Sequence, residues 1–228
     1  MVLKEREQWK EKSVDEIKDF ISNVYEKEAK SPCPVDRLKA LSDSLRRKSC
    51  GECVICREGI LQLSVLTESI TQGGGREGDI DVISEISQDM SIGSGCDFGR
   101  EVGKIAKDII ESEREQFERH IKRKRCDALV CKNFITYYIS PEACTGCNQC
   151  AKACKAESIK GSNGLIHIID SASCTKCGDC ELTCESGAIL KSSTSVPNLP
   201  TIPVPVGSTP SDSSQGSLMS QRRRRRSE

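Results

Sequence analysis

The run Cys144-x2-Cys147-x2-Cys150-x3-Cys154 returns thirty residues later as Cys174-x2-Cys177-x2-Cys180-x3-Cys184. No other feature restricts the fold so tightly. Three thiolates at this spacing can grip three irons of one cubane from a single loop. The fourth cysteine starts the following helix and points at the other cluster. That geometry assigns Cys144, Cys147, Cys150 and Cys184 to one [4Fe–4S] cluster and Cys174, Cys177, Cys180 and Cys154 to a second. Zinc is the rival metal, but a zinc ribbon uses two C-x2-C knuckles, four sulfurs in all, separated by a longer loop. Here each run already holds four cysteines at cubane spacing. Gly146, Ala151 and Gly178 keep the surroundings small, so the backbone can wrap closely. Ile159 maps onto Ile189, and the β-type runs 134–139 and 165–169 frame the repeat.

The rest of the chain is read against this module. Fifteen cysteines accompany only eight aromatic rings in 228 residues, so metal is expected to do stabilising work that large buried rings do elsewhere. No apolar run approaches the length of a transmembrane helix, and the charged start leads into no secretory h-region. A cytoplasmic, reducing setting is therefore expected, in which cysteine clusters signal metal rather than disulfides. Residues 1–49 read as helical. Ser13 and Glu16 form a capping box ahead of Val14, Ile17, Ile21 and Val24 on one face. Val35, Leu38, Leu41 and Leu45 suggest a second helix after Pro32 and Pro34. Cys33, alone between those prolines, reads as a bystander thiol.

Residues 50–125 open on Cys50-Gly-Glu-Cys53-Val-Ile-Cys56-Arg-Glu-Gly59 and continue in three helical patterns. These contain Ile60, Leu63, Leu66 and Ile70; then Val82, Ile83, Ile86 and Met90; then Val102, Ile105, Ile109 and Ile121. Gly73-Gly74-Gly75 is a loop without the strand that a phosphate-binding reading requires. Cys50, Cys53 and Cys56 with a remote Cys96 again suit a cubane. This region resembles the iron–sulfur part of the NuoF-type (51-kDa) flavoprotein subunit of respiratory complex I. It resembles more closely the β-subunits of electron-bifurcating hydrogenases and related formate dehydrogenases, where a two-cluster ferredoxin domain follows. Cys96-Asp-Phe-Gly99, 115–121 and 124–132 add to the likeness, which covers residues 48–191. The resemblance implies that Cys50, Cys53, Cys56 and Cys96 ligate a [4Fe–4S] cluster. It also places FMN and NADH on an upstream domain with Gly-rich loops. Residues 1–49 contain no such unit and Gly93-x-Gly95 lacks a dinucleotide fingerprint, so no FMN or NAD site is expected on this chain.

The expected architecture is α+β: a helical bundle with one cluster, a bacterial two-cluster ferredoxin-like βαββαβ module over 126–191, and a tail over 192–228. Ten serines and five prolines, without cysteine or aromatic residues, mark that tail as disordered. His120, Cys126 and Cys131 leave two readings open: three ligands of a structural zinc joining the bundle to the module, or a helix-end histidine and two buried thiols. No fourth ligand is evident. His167, alternating with Ile166 and Ile168, reads as an exposed strand-face residue. The common run continues Cys-Pro; Lys155 and Glu185 stand there instead, as surface variation or as charges that tune the clusters.

Five arginines, Arg222 to Arg226, end a tail whose only acids are Asp212 and Glu228. No aromatic residue is interleaved for base stacking, so nucleic-acid binding is not expected. The function expected is an electron relay: a three-cluster subunit of a cytoplasmic multisubunit oxidoreductase of hydrogenase, formate dehydrogenase or NADH dehydrogenase type. Its expected partners are flavoprotein, hydrogenase or formate dehydrogenase subunits and ferredoxin, and no catalytic residue is expected on the chain. A freestanding ferredoxin-like carrier and a zinc-structured nucleic-acid binder are the alternatives.

Overall fold

The computed structural model describes residues 9–28, 30–196 and 199–208; the arginine run lies outside them. The chain divides into two units at Phe134–Ile135, later than the junction at 126 suggested by composition. The reason is burial. Cys126, Cys131 and Phe134 all belong to the apolar core of the first unit.

In the first unit a 3-10 turn (Trp9–Glu11) precedes α1 (Val14–Glu28), α2 (Pro34–Lys48), α3 (Val54–Thr71), α4 (Asp79–Gly93) and α5 (Asp97–Lys122). The capping box forms at the start of α1. Ser13 N–H donates to Glu16 Oε2 at 2.8 Å and Glu16 N–H to Ser13 Oγ at 3.3 Å. Pro34 occupies the first turn of α2, where its missing N–H costs nothing. Ile17, Ile21, Leu38, Leu41, Leu45, Ile60, Leu63, Ile70 and Ile83 are fully buried, the inward stripe that a 3.6-residue period produces. Val82, grouped with that stripe in sequence, is 44% exposed and faces away from the core. Trp9 closes one end. Its ring stacks on Phe98 at 4.6 Å and its indole N–H donates to Lys48 O at 3.0 Å. The triple-glycine segment is a loop between α3 and α4, held by Lys124 Nζ donating to Gly73 O and Gly75 O.

The second unit runs β1 (Thr136–Ile139), α6 (Gln149–Ala153), β2 (Ile159–Lys160), β3 (Leu165–Ile166), β4 (Ile168–Ile169), α7 (Asp179–Thr183), β5 (Ile189–Ser192) and β6 (Val204–Pro205). β1 pairs antiparallel with β5, β2 with β4, and β3 with β6. The internal repeat is written into the backbone. Left-handed φ values fall at Gly146 and Lys176, at Asn148 and Gly178, and at Glu157 and Gly187, each pair one repeat apart. Equivalent amides bond equivalent carbonyls: Cys154 N–H to Ala151 O and Cys184 N–H to Glu181 O, both at 3.3 Å.

Two further findings differ from the sequence expectation. His167 is only 1% exposed. It sits between β3 and β4, which pair with different strands, so alternation along a single strand does not govern it. Its ring turns inward and makes a 2.9 Å hydrogen bond with Asn148 Oδ1. The segment from residue 192 also contributes order. Ser192 ends β5, and Val204, 6% exposed, sits in register with the buried Ile166. Apolar Val204 supplies the burial that the serine-rich composition around it lacks.

Candidate metal centres

None of the fifteen cysteines is in a disulfide. In the helical unit, Cys53 is the N-cap of α3, Cys56 lies in its first turn, and Cys96 is the N-cap of α5. Two helix N-termini, with their unsatisfied amides and positive dipole ends, thus supply sulfurs to one place, and such positions favour thiolates. Gly95 N–H donates to Cys53 Sγ at 3.3 Å and Gly99 N–H to Cys96 Sγ at 3.4 Å. The hydrogen bond from Cys56 holds Cys96 down at about 6, although burial opposes this. Giving that bond, together with burial, pushes Cys56 far up. A side chain at Gly99 would meet Ser94 Oγ at 2.6 Å and Cys56 Cβ at 2.8 Å, so only glycine allows the Cys96 turn to close on α3. Cys50 lies half-buried against the same core. Its loop is fixed where Ser49 Oγ accepts from Gly51 N–H at 3.2 Å and Arg57 donates to Gly51 O at 3.1 Å.

In the second unit, Cys144, Cys147, Cys150 and Cys184 line one pocket together with Asn148 and His167. The crossing of the repeat is visible here, because Cys184 comes from the other copy. Burial pushes the Cys150 thiol up to about 11, and charge on Cys144, Cys147 and Cys184 acts in the same direction. Cys174 and Cys177 likewise act on Cys180, whose thiol is raised first by burial. Cys154 has Ser158 Oγ at 3.2 Å. Lys155 pairs with Asp179 at 3.6 Å, and both groups are well exposed. The donor chemistry suits iron–sulfur clusters: soft thiolates in convergent sets, with amides aimed at sulfur.

A third constellation is compact. Cys33, His120, Cys126 and Cys131 are all buried, with their ligand atoms within 4.8 Å of one another. His120 Nε2 lies 3.3 Å from Cys33 Sγ and 3.5 Å from Cys131 Sγ, and Cys131 Sγ donates to Cys33 Sγ at 3.7 Å. His120 Nδ1 is 2.7 Å from Gln116 O. That carbonyl accepts only from an N–H, so a proton is assigned to Nδ1, and Nε2 is the ring atom that faces the thiols. Burial disfavours charge on this ring, yet bonds with Cys126 and Cys33 hold its pKa up at about 10. Cys126 is driven strongly down by hydrogen bonds from Cys131 and Cys33. Cys33 is therefore no bystander. It is the N-cap of α2, in contact with a histidine 87 positions away, and its neighbours in sequence do not announce it. The one available signal was arithmetic: one thiol without a role and one three-ligand set without a fourth.

Residues 36–120 match the NADH-ubiquinone oxidoreductase-F iron-sulfur binding region, and residues 143–189 match a 4Fe-4S dicluster domain. Over 135 residues the chain is 32% identical to the NADP-reducing hydrogenase subunit HndC of Solidesulfovibrio fructosivorans, covering 59% of this chain and 28% of that subunit. It is 29% identical over 94 residues to the F subunit of the NADH-quinone oxidoreductase of Streptomyces coelicolor, 41% of this chain and 21% of the relative. The mitochondrial NADH-ubiquinone oxidoreductase 51 kDa subunit of Neurospora crassa is 29% identical over 94 residues, 41% of this chain and 19% of its own length. The chain thus spans less than a third of each of these relatives. No helix among the described residues is long and apolar enough to cross a membrane. The chain carries a NuoF-type iron–sulfur binding region followed by a 4Fe-4S dicluster domain, and it is homologous to part of these hydrogenase and NADH-quinone oxidoreductase subunits.

Proposed function

We propose that this protein relays electrons through three [4Fe–4S] clusters inside a cytoplasmic multisubunit oxidoreductase. Cys50, Cys53, Cys56 and Cys96 hold the cluster of the helical unit. Cys144, Cys147, Cys150 and Cys184 hold one cluster of a βαββαβ ferredoxin module, and Cys174, Cys177, Cys180 and Cys154 hold the other. Each cluster, when bound, supplies a one-electron redox site. The protein's own contribution is electrostatic. The Gly95 and Gly99 amides lie against the sulfurs of Cys53 and Cys96, and the Ser158 hydroxyl lies against Cys154. Hydrogen bonds of this kind stabilise negative charge on sulfur and so set potentials. No side chain is assigned a bond-making step.

The observation that carries this reading is the pocket shared by Cys144, Cys147, Cys150 and Cys184. It brings a remote cysteine of the second repeat to the three-cysteine loop of the first. The partners proposed are a flavoprotein subunit and a hydrogenase or formate dehydrogenase subunit, with ferredoxin as a further donor or acceptor; the likeness to a hydrogenase subunit and to NADH-quinone oxidoreductase subunits supports the first two classes. Cys33, His120, Cys126 and Cys131 hold one structural zinc. Three thiolates and one imidazole form a closed four-ligand set, the composition of structural rather than catalytic zinc sites. Anaerobic purification followed by iron, sulfide and zinc analysis tests the proposal. About twelve irons and one zinc per chain are expected, with broad visible absorbance that bleaches under dithionite. A colourless protein without iron would end it.

A further inference from the structure

Ser94 is 2% exposed, and its hydroxyl oxygen has no hydrogen-bond partner among the described residues. Its backbone is fully engaged. The N–H donates to Met90 O at 3.3 Å and the carbonyl accepts from Arg100 at 2.7 Å. The hydroxyl alone is left over. Buried hydroxyls are rarely unpaired, and one that is calls for a specific explanation.

Its location supplies one. Ser94 sits in the turn that delivers Cys96 to α3. A carbon built on Gly99 would lie 2.6 Å from Ser94 Oγ and 2.8 Å from Cys56 Cβ. The hydroxyl and Cys56 therefore share one side of Gly99, the residue whose amide donates to Cys96 Sγ. The neighbouring buried hydroxyl of α4 has a protein acceptor, since Ser87 Oγ donates to Ile83 O at 2.7 Å. Ser49, across the site, also has a partner: it accepts from Gly51 N–H while lying 3.8 Å from Cys56 Sγ. Unlike these two hydroxyls, Ser94 Oγ has no partner among the described residues.

We infer that Ser94 donates its hydroxyl proton to a sulfur of the cluster held by Cys50, Cys53, Cys56 and Cys96, and thereby makes that cluster easier to reduce. The inference rests on the proposed cluster assignment. Reduction adds one electron to the cluster and moves no proton; the hydrogen stays on Ser94. Because the added electron raises the negative charge on the sulfurs, a donated hydrogen bond stabilises the reduced form more than the oxidised form. Ser94 acts through that bond as a positioning residue.

The experiment is a redox titration of the full chain, purified anaerobically, with dithionite as reductant and electron paramagnetic resonance as readout. Ser94→Ala is expected to lower the ratio of reduced to oxidised cluster about tenfold at a fixed potential. For a one-electron couple this is a shift of about 59 mV. The two clusters of the second unit keep their potentials, and so does the protein with Ser87→Ala, which trims a buried hydroxyl of the same helix pair. An unchanged potential in Ser94→Ala with full iron content overturns the inference. If Ser94→Ala loses iron, Ser94→Thr and Ser94→Val decide, since they match in shape and differ in the hydroxyl. Iron kept with Thr and lost with Val supports the inference, whereas equal loss, or equal retention at equal potential, overturns it. Absence of this cluster from the unaltered protein would instead refute the cluster assignment itself.

Discussion

At Gly103 α5 packs tightly against the backbone of α4, and replacing it with alanine is a sharp test of how the Cys96 turn is held. A methyl group there would lie 2.6 Å from Ser91 N, 2.7 Å from Ser87 O and 2.8 Å from Met90 Cβ. Two of these atoms are backbone and cannot rotate away, so the helices must separate. Overpacking of this kind costs at the upper end of its usual range, about 3 kcal/mol. Alanine returns about 1 kcal/mol through its better helix propensity. The net loss is about 2 kcal/mol, which for a chain of this size lowers the melting midpoint by about 4–8 °C. The damage should also reach the metal. α4 and α5 flank the Ser94–Cys96 turn, and splaying them draws Cys96 away from Cys56. Iron analysis should then show loss from the helical unit while the second unit keeps its share. Gly93→Ala is the control, because its methyl meets only the flexible end of Ile55 at 3.3 Å; a change within about 1 kcal/mol is expected. If Gly103→Ala melts at or above the unaltered protein and retains all its iron, close helix approach is not what positions Cys96.

Cys33→Ser should lower bound zinc from about one per chain to a small fraction, measured by elemental analysis after gel filtration; undiminished zinc would remove Cys33 from the ligand set. Asp43 is disfavoured as an anion by burial, but the Ser64 hydroxyl and Lys39 together hold its pKa below the usual value. A lowered folded-state pKa means that its stabilisation is present above about pH 4 and is lost as the pH falls through the folded value. Ser64→Ala should therefore be less stable than the unaltered protein near neutral pH, with the gap narrowing in acid; urea midpoints measured from neutral pH down to about pH 3 read this, and a constant gap would contradict it. Ending the chain after Val196 removes β6 and uncovers Ile166, at a cost of about 2 kcal/mol from the lost burial of Val204 alone. Faster amide exchange confined to the second unit is the expected signature, and unchanged protection would show that β6 contributes nothing.

The helices of the first unit were legible because their information is local. A 3.6-residue period, a Ser13–Glu16 box and a proline after Cys33 each act within a turn or two of chain, and the observed elements follow them. The cysteine runs were legible for a related reason: a loop that must present three sulfurs to one object leaves a short, repeating spacing. His167 and Val204 were not legible, because their surroundings are set by pairings between strands distant in sequence. Alternation along Leu165–Ile169 carries no information about the change of partner at His167. Trp9 was missed for the same reason, its ring being buried by Phe98 and its N–H satisfied by Lys48 O. Cys33 is the most instructive case. A thiol delivered by a helix N-cap to a histidine on another helix has no sequence neighbour at ligand spacing, so motif reading passes over it. Stoichiometry does not. Once twelve cysteines had been assigned to cubanes, a remaining set of two cysteines and one histidine was one donor short of a closed zinc site. The chain held one unassigned cysteine, and counting ligands against coordination number was therefore a stronger argument for Cys33 than any pattern around it.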